Sequence, residues 1–215
     1  MRKFIKSEDI TETINIMKSK FNNILYDKEL HTLYNYDSDN KKNNILRLPL
    51  AWPPVKDWSD YIDFKDNFIF IVIIIQSGQA TIGLFDNNLK ILEHKVLRTY
   101  TVRKKQGMNQ IKYLKTKGKS RAGSRIRLKN TYLFFEDINR YLEKWIKEYE
   151  INRILYHVPK MLKSIWKTSK IDIPFDLDGL EVLKLPFYIK APNFEEMKRV
   201  AKYSLDAEIK NNNFL

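Results

Sequence analysis

Residues 68–75 form an unbroken run, Phe-Ile-Phe-Ile-Val-Ile-Ile-Ile, the pattern of a central strand covered on both faces. Ser77-Gly78 supplies a tight turn, residues 79–85 predict a second strand, Asp86-Asn87-Asn88 a second turn, and residues 89–97 a third strand. Connections this short make the three strands antiparallel neighbours. Further on the period lengthens. Leu128, Tyr132, Phe135, Ile138, Leu142, Trp145 and Tyr149 recur every three or four positions, one apolar stripe of a long helix. Residues 151–158 predict a short buried strand ended by Pro159, residues 161–167 a helix, and residues 180–185 a fifth strand. Asn193 and Glu196 have the spacing of a capping box, ahead of a helix carrying Met197, Val200, Ala201 and Leu205.

Upstream the pattern is sparser. Ser7 predicts the cap of a helix whose stripe is Ile10, Ile14, Met17 and Phe21. Residues 35–44, rich in Asn, Asp and Lys, read as a loop. Leu48-Pro49-Leu50-Ala51-Trp52-Pro53-Pro54 reads as an extended segment, because its prolines cannot continue a helix. Trp52 and Trp58 are expected to pack that segment on the core rather than to stack on bases. The chain therefore divides into a helical and extended N-terminal appendage at residues 1–62, a main domain at 63–210 and a polar tail at 211–215. Three meandering strands followed by helix, strand, helix, strand and helix describe an α/β fold with a mixed sheet and helices on its faces. The ribonuclease-H-like architecture has this order.

Charge adds the chemistry. From Arg98 to Lys129 the chain places twelve Lys or Arg and no Asp or Glu, while its net charge is +13. An acid-free basic stretch attracts a polyanion, and Gln106-Gly107-Met108-Asn109-Gln110 sets uncharged donors and acceptors in its midst. A solvated basic loop is the plain alternative; the strand before this segment and the helix after it tie it to a scaffold. With 43% apolar residues the chain can bury a core, and with no cysteine it has no disulfide, thiolate metal site or thiol nucleophile. Residues 1–9 lack the apolar stretch of a secretory signal, and the run at 68–75 is short of the ~18 residues that suggest a membrane span. A cytoplasmic protein with no membrane partner is expected. A two-metal nuclease needs carboxylates on its central strands, and residues 68–75 carry none. Asp86, at a turn, and Glu136-Asp137, mid-helix, read as solvated faces. His157 ends a buried strand and reads as a core histidine, while His31 and His94 have no partner evident in the sequence. No metal or cofactor is expected.

Tyr100-Thr101-Val102-Arg103-Lys104-Lys105-Gln106-Gly107-Met108-Asn109-Gln110, followed by Lys117-Gly118-Lys119-Ser120-Arg121-Ala122-Gly123-Ser124, resembles the Vms-like release-factor family. That family is related to the catalytic domain of eukaryotic and archaeal class-one peptide release factors. Arg98, Tyr100, Thr101, Val102, Arg103, Lys105, Gln106, Gly107 and Gln110 match its pattern, and Met108-Asn109-Gln110 stands where the family has Gly-Gly-Gln or Gly-Ser-Gln. The resemblance implies a ribonuclease-H-like domain that acts on peptidyl-tRNA at the large ribosomal subunit, with ribosomal RNA nearby. It implies a catalytic role for Gln110, with Gly107 as the hinge of the loop. Arg98, Arg103, Lys104, Lys105, Lys117, Lys119, Arg121, Arg125 and Arg127 would hold RNA phosphates. Three activities stay open: hydrolysis of the peptidyl-tRNA ester in ribosome rescue, endonucleolytic cleavage of the tRNA acceptor (CCA) end, and tRNA or ribosome binding without catalysis.

Overall fold

A computed structural model describes residues 3–36, 42–55, 57, 59, 67–99 and 122–210, with only the backbone at 44–45 and 122–127. Its strands are β1 (Lys3–Ile5), β2 (Leu25–Asp27), β3 (Thr32–Tyr36), β4 (Lys42–Arg47), β5 (Ile69–Gln76), β6 (Gln79–Asp86), β7 (Ile91–Arg98), β8 (Arg153–His157), β9 (Val182–Lys184) and β10 (Ala207–Ile209). Its α-helices are α1 (Ile10–Lys20), α2 (Ala122–Glu148), α3 (Lys160–Trp166) and α4 (Phe194–Tyr203).

The strands form two five-stranded sheets. In the second, ordered β7-β6-β5-β8-β9, the hairpin-linked β5, β6 and β7 are antiparallel, and β8 and β9 run parallel to β5. This is the mixed sheet that the periodicity predicts. β5 is its centre because its residues alternate between two cores. Phe70, Val72 and Ile74 belong to a cluster shared with the first sheet, α1 and α4. Ile71, Ile73 and Ile75 belong to another, shared with α2 and α3. Burying each such side chain stabilises by roughly 1.5–3 kcal/mol, which is why the whole run must be apolar.

The first sheet, ordered β1-β10-β4-β3-β2, departs from the sequence reading. Residues 35–44 are not simply a loop, since Asn35 and Tyr36 pair with Asn43 and Lys42 across β3 and β4. The N-terminal part is more than a helix and an extended segment: it supplies four of the five strands, and β10 lies between two of them. Residues 48–52 turn rather than extend, with the Trp52 N–H donating to the Pro49 carbonyl at 3.1 Å. Leu48, Leu50, Ala51 and Trp52 are buried against the first cluster. Arg153 fastens this segment to the second sheet. Fully buried, it donates from Nε to the Leu50 carbonyl (3.0 Å) and from Nη1 to the Leu180 carbonyl (2.7 Å).

Several local readings shift. Ser7 opens a short 3-10 turn, and α1 starts only at Ile10, with no side-chain cap. The box before α4 forms by half: Asn193 Oδ1 accepts from the Glu196 N–H (2.8 Å), but the Glu196 carboxylate accepts from the Lys190 N–H (2.8 Å) instead of from Asn193. Arg199 donates two bonds to the same carboxylate, and these, ahead of the Lys190 N–H, hold it below the ordinary carboxylate range. Leu205 lies beyond the end of α4. Glu136 is buried rather than solvated, while its neighbour Asp137 is half-buried and pairs with Arg140 (2.7 Å). Among the described residues no helix is long and apolar enough to cross a membrane.

Gly83 shows how closely α4 approaches the sheet. A Cβ there would lie 2.8 Å from Phe85 Cε2 and 2.9 Å from the Met197 methyl. Gly83→Val should therefore destabilise by about 1–3 kcal/mol through overpacking. Thermal unfolding reads the loss, and an unchanged midpoint would mean that α4 sits farther out.

His31 is buried in the turn just before β3 with a left-handed backbone, φ 53°, and shares a 2.7 Å hydrogen bond between its Nδ1 and the Tyr26 hydroxyl. Burial, then the nearby Arg153 charge, holds its pKa well below the usual value. The unfolded imidazole titrates near ~6.5. Between the folded and unfolded values the unfolded chain binds more protons, so stability rises with pH across that window and is lost as pH falls through it. Melting temperatures should fall as pH drops below about 6.5. His31→Asn, which keeps a residue that tolerates the backbone, should flatten the decline. A residual slope belongs to His157, which shifts the same way.

Candidate functional site

Two described elements bound the basic segment in the chain. At the first, Arg98 ends β7 opposite Gln79, and the Thr99 N–H donates to the Gly78 carbonyl at 2.8 Å. Gly78 adopts φ 73°, which closes the β5–β6 turn and is open to glycine without strain. The turn that the sequence marks by Ser77-Gly78 thus also fixes where the chain leaves the sheet. Arg98 is exposed and has no ion-pair partner among the described residues. The second is α2, which begins at Ala122, earlier than its apolar stripe suggests, and has no acidic residue in its first turn. Arg125 and Arg127 lie in its opening turns. Arg103, Lys104, Lys105, Gly107, Gln110, Lys117, Lys119 and Arg121 lie outside the described residues.

Strand direction decides what else shares this end of the molecule. β7 is antiparallel to β6, which is antiparallel to β5, so β5, β7, β8 and β9 all point their C-terminal ends the same way. Ile74 is level with His157, and Tyr156 with Lys184. Arg98, His157 and Lys184 therefore stand along one sheet end. From β7 the sheet order places β8 three strands away and β9 four, roughly 14 and 19 Å at ~4.8 Å per strand. In open α/β sheets this C-terminal end is where ligands bind.

His157 is not the packed core residue that its place in the sequence suggests. It is half-buried and opens on a cleft of about 570 Å³ between the two sheets. Burial first, then the Lys184 charge, lowers its pKa, which keeps the ring neutral near pH 7. Lys184, Phe187, Tyr34 and Lys210 line the same cleft. No sequence motif marks these residues, because they come from distant parts of the chain and meet only when the sheets pack. His94 instead packs its ring against Phe194, with centroids 4.8 Å apart. Among the described residues no group of three His, Cys, Asp or Glu is placed to hold a metal ion.

No curated protein matches the chain. A solved structure described as the Vms1 mitochondrial localization core aligns with 92% of this chain and 81% of its own, at 11% identity and a TM-score of 0.48. The family model described as Bacteroidetes VLRF1 release factor matches residues 70–212. That span takes in the second sheet but for Ile69, the basic segment with its Gln-Gly motif, α2 to α4, and β10. With well over half its length matched, the chain belongs to the Bacteroidetes VLRF1 release factor family, a membership that implies ribosome rescue as its setting and the ribosome and tRNA as its partners.

Proposed function

We propose that this protein frees nascent chains from stalled ribosomes by hydrolysing the ester of peptidyl-tRNA, with Gln110 positioning the attacking water. The observation that carries the reading is the family match across the segment that holds Arg103, Gly107 and Gln110. Residues 63–210 form the catalytic domain, and its architecture is ribonuclease-H-like. The order β7-β6-β5-β8-β9, with β8 and β9 parallel to β5, supports that assignment.

The chemistry asks little of the protein. Water oxygen attacks the ester carbonyl, the bond to the ribose oxygen breaks, and that oxygen leaves with a proton, giving a peptide carboxyl group and a free tRNA hydroxyl. A neutral amide is no strong base, so Gln110 acts by orienting the water and donating to the oxyanion as charge develops. The cations from Arg98 to Arg127 hold phosphates of the acceptor end and nearby ribosomal RNA, and each single-strand phosphate contact adds about 0.7 to the salt slope of binding. α2 opens with Arg125 and Arg127 and without acids, a sign that opposes its own dipole and that a bound phosphate would balance.

Met108-Asn109, in place of small residues, makes catalysis-free binding a rival, and the family resemblance makes acceptor-end cleavage another. One assay separates the three. The purified protein is incubated with stalled ribosome–nascent-chain complexes, and the tRNA 3′ end is sized. Freed peptide with an intact end is the expected outcome. A shortened tRNA means cleavage, and binding without release means a module that only docks.

A further inference from the structure

The cleft between the sheets takes its walls from both ends of the chain. At about 570 Å³ it falls in the range that encloses most of a small ligand. One wall is apolar, built from Leu183, Leu185 and Pro186 with Phe187, whose side chain packs on the core and so presents a fixed surface. Four cations surround it, and two are already neutralised. Lys42 bonds Asp27 at 3.3 Å and lies 4.2 Å over the Tyr34 ring, and Arg47 is paired with the buried Glu208. Lys184 and Lys210 have no ion-pair partner among the described residues, and the other carboxylate at the cleft is Glu29. His157, neutral near pH 7, offers one N–H donor and one lone pair, the combination that the edge of a heterocyclic base uses; a charged ring would only donate. Two available ammonium groups, an apolar wall that includes an aromatic ring and a donor–acceptor imidazole suit a ligand with an anion, a planar body and a hydrogen-bonding edge.

We propose that this cleft is a nucleotide subsite: the base lies against Phe187 and the leucines, its edge meets His157, and its phosphate is held by Lys184 and Lys210. Stacking of a base on an aromatic ring is tolerant of sequence, so the subsite grips a nucleotide more than it selects one. Its place fits an RNA strand, because the cleft shares the sheet end from which Arg98 leads into the basic segment, roughly 14–19 Å away across the strands. That the nucleotide belongs to RNA rests on the release reading. That the cleft takes a nucleotide does not.

The test titrates the full-length protein with AMP, CMP, adenosine, inorganic phosphate and a single-stranded trinucleotide, following the His157 ring signals by NMR and the heat by calorimetry. At least one mononucleotide should move the His157 signals and bind about tenfold or more tightly than adenosine or phosphate alone. Lys184→Glu combined with Lys210→Glu should lower that affinity about tenfold or more with the melting temperature nearly unchanged, since neither side chain is in the core. Phe187→Ala should weaken AMP while leaving phosphate as it was. A trinucleotide that binds more tightly than AMP assigns the ligand to a strand, equal affinity assigns it to a free nucleotide, and both outcomes uphold the subsite. Equal affinity in wild type and the charge-reversed variant, binding that leaves His157 unmoved, or no mononucleotide binding at all overturns it. Release measured beside these titrations keeps the two readings apart: release without nucleotide binding sinks the subsite alone, and nucleotide binding without release sinks the release reading alone.

Discussion

Gln110→Ala will cut peptide release from stalled ribosome complexes by about a hundred- to a thousandfold, the usual cost of removing one well-placed donor to a developing oxyanion. Ribosome binding should change little, because a neutral amide contributes nothing to phosphate neutralisation, and the cations that do are untouched. The pair of measurements is what discriminates. Single-turnover release from preformed complexes isolates the chemical step, and co-sedimentation reports binding. Loss of both together would make Gln110 a docking residue; loss of neither would remove it from the mechanism. Gln110→Glu is a sharper variant. It keeps the length and an acceptor but places a negative charge where negative charge develops, so it should be as slow as the alanine variant.

Trp166→Ala will destabilise the fold by about 3–5 kcal/mol, the range for truncating a large buried aromatic. Trp166 is fully buried at the end of α3, stacks on Phe135 of α2 with centroids 6.3 Å apart, and donates from Nε1 to Asn139 Oδ1 at 2.6 Å. Asn139, itself fully buried, donates from Nδ2 to Ser169 Oγ (3.1 Å) and the Ile171 carbonyl (2.6 Å). Truncation leaves a void against Phe135 and strips a partner from a buried amide, two separate costs. For a chain of this size the melting temperature should drop on the order of 10 °C. Trp166→Phe keeps an aromatic ring against Phe135 but loses the hydrogen bond and part of the indole's volume, so it should cost about 1–3 kcal/mol. Denaturant titration of both variants measures the two parts, and near-wild-type stability of the alanine variant would contradict the packing of α2 on α3. Because α2 bounds the basic segment in the chain, the variant should also release peptide poorly at temperatures well below its melting point.

The second sheet is legible in the sequence because each signal is local. Residues 68–75 are uniformly apolar because both faces of β5 are covered, and two-residue punctuation such as Ser77-Gly78 forces antiparallel neighbours. The first sheet is not legible, for an equally physical reason. β1, β2 and β10 span three residues each, too few for a period to register. β10 even contains Glu208, a charged residue that breaks any apolar pattern and yet is almost fully buried and paired with Arg47. The Asn-rich chemistry of residues 35–44 reads as a loop although the backbone there pairs across β3 and β4. The candidate site divides in the same way. The Arg103 to Gln110 motif is contiguous and so can be read directly, whereas His157, Lys184 and Lys210 are brought together by strand order alone.

β10 is inserted between β1 and β4, with Ile5 opposite Ala207 and Arg47 opposite Glu208. A nascent copy of this protein therefore cannot close its first sheet until residues 207–209 have cleared the ribosomal tunnel, however early its N-terminal half emerges. A copy interrupted upstream of that point would present two unsatisfied strand edges and the uncovered Arg47 charge, an invitation to pair with other chains. Manufacture of a rescue factor would thus be unusually exposed to the stalling that it serves to resolve.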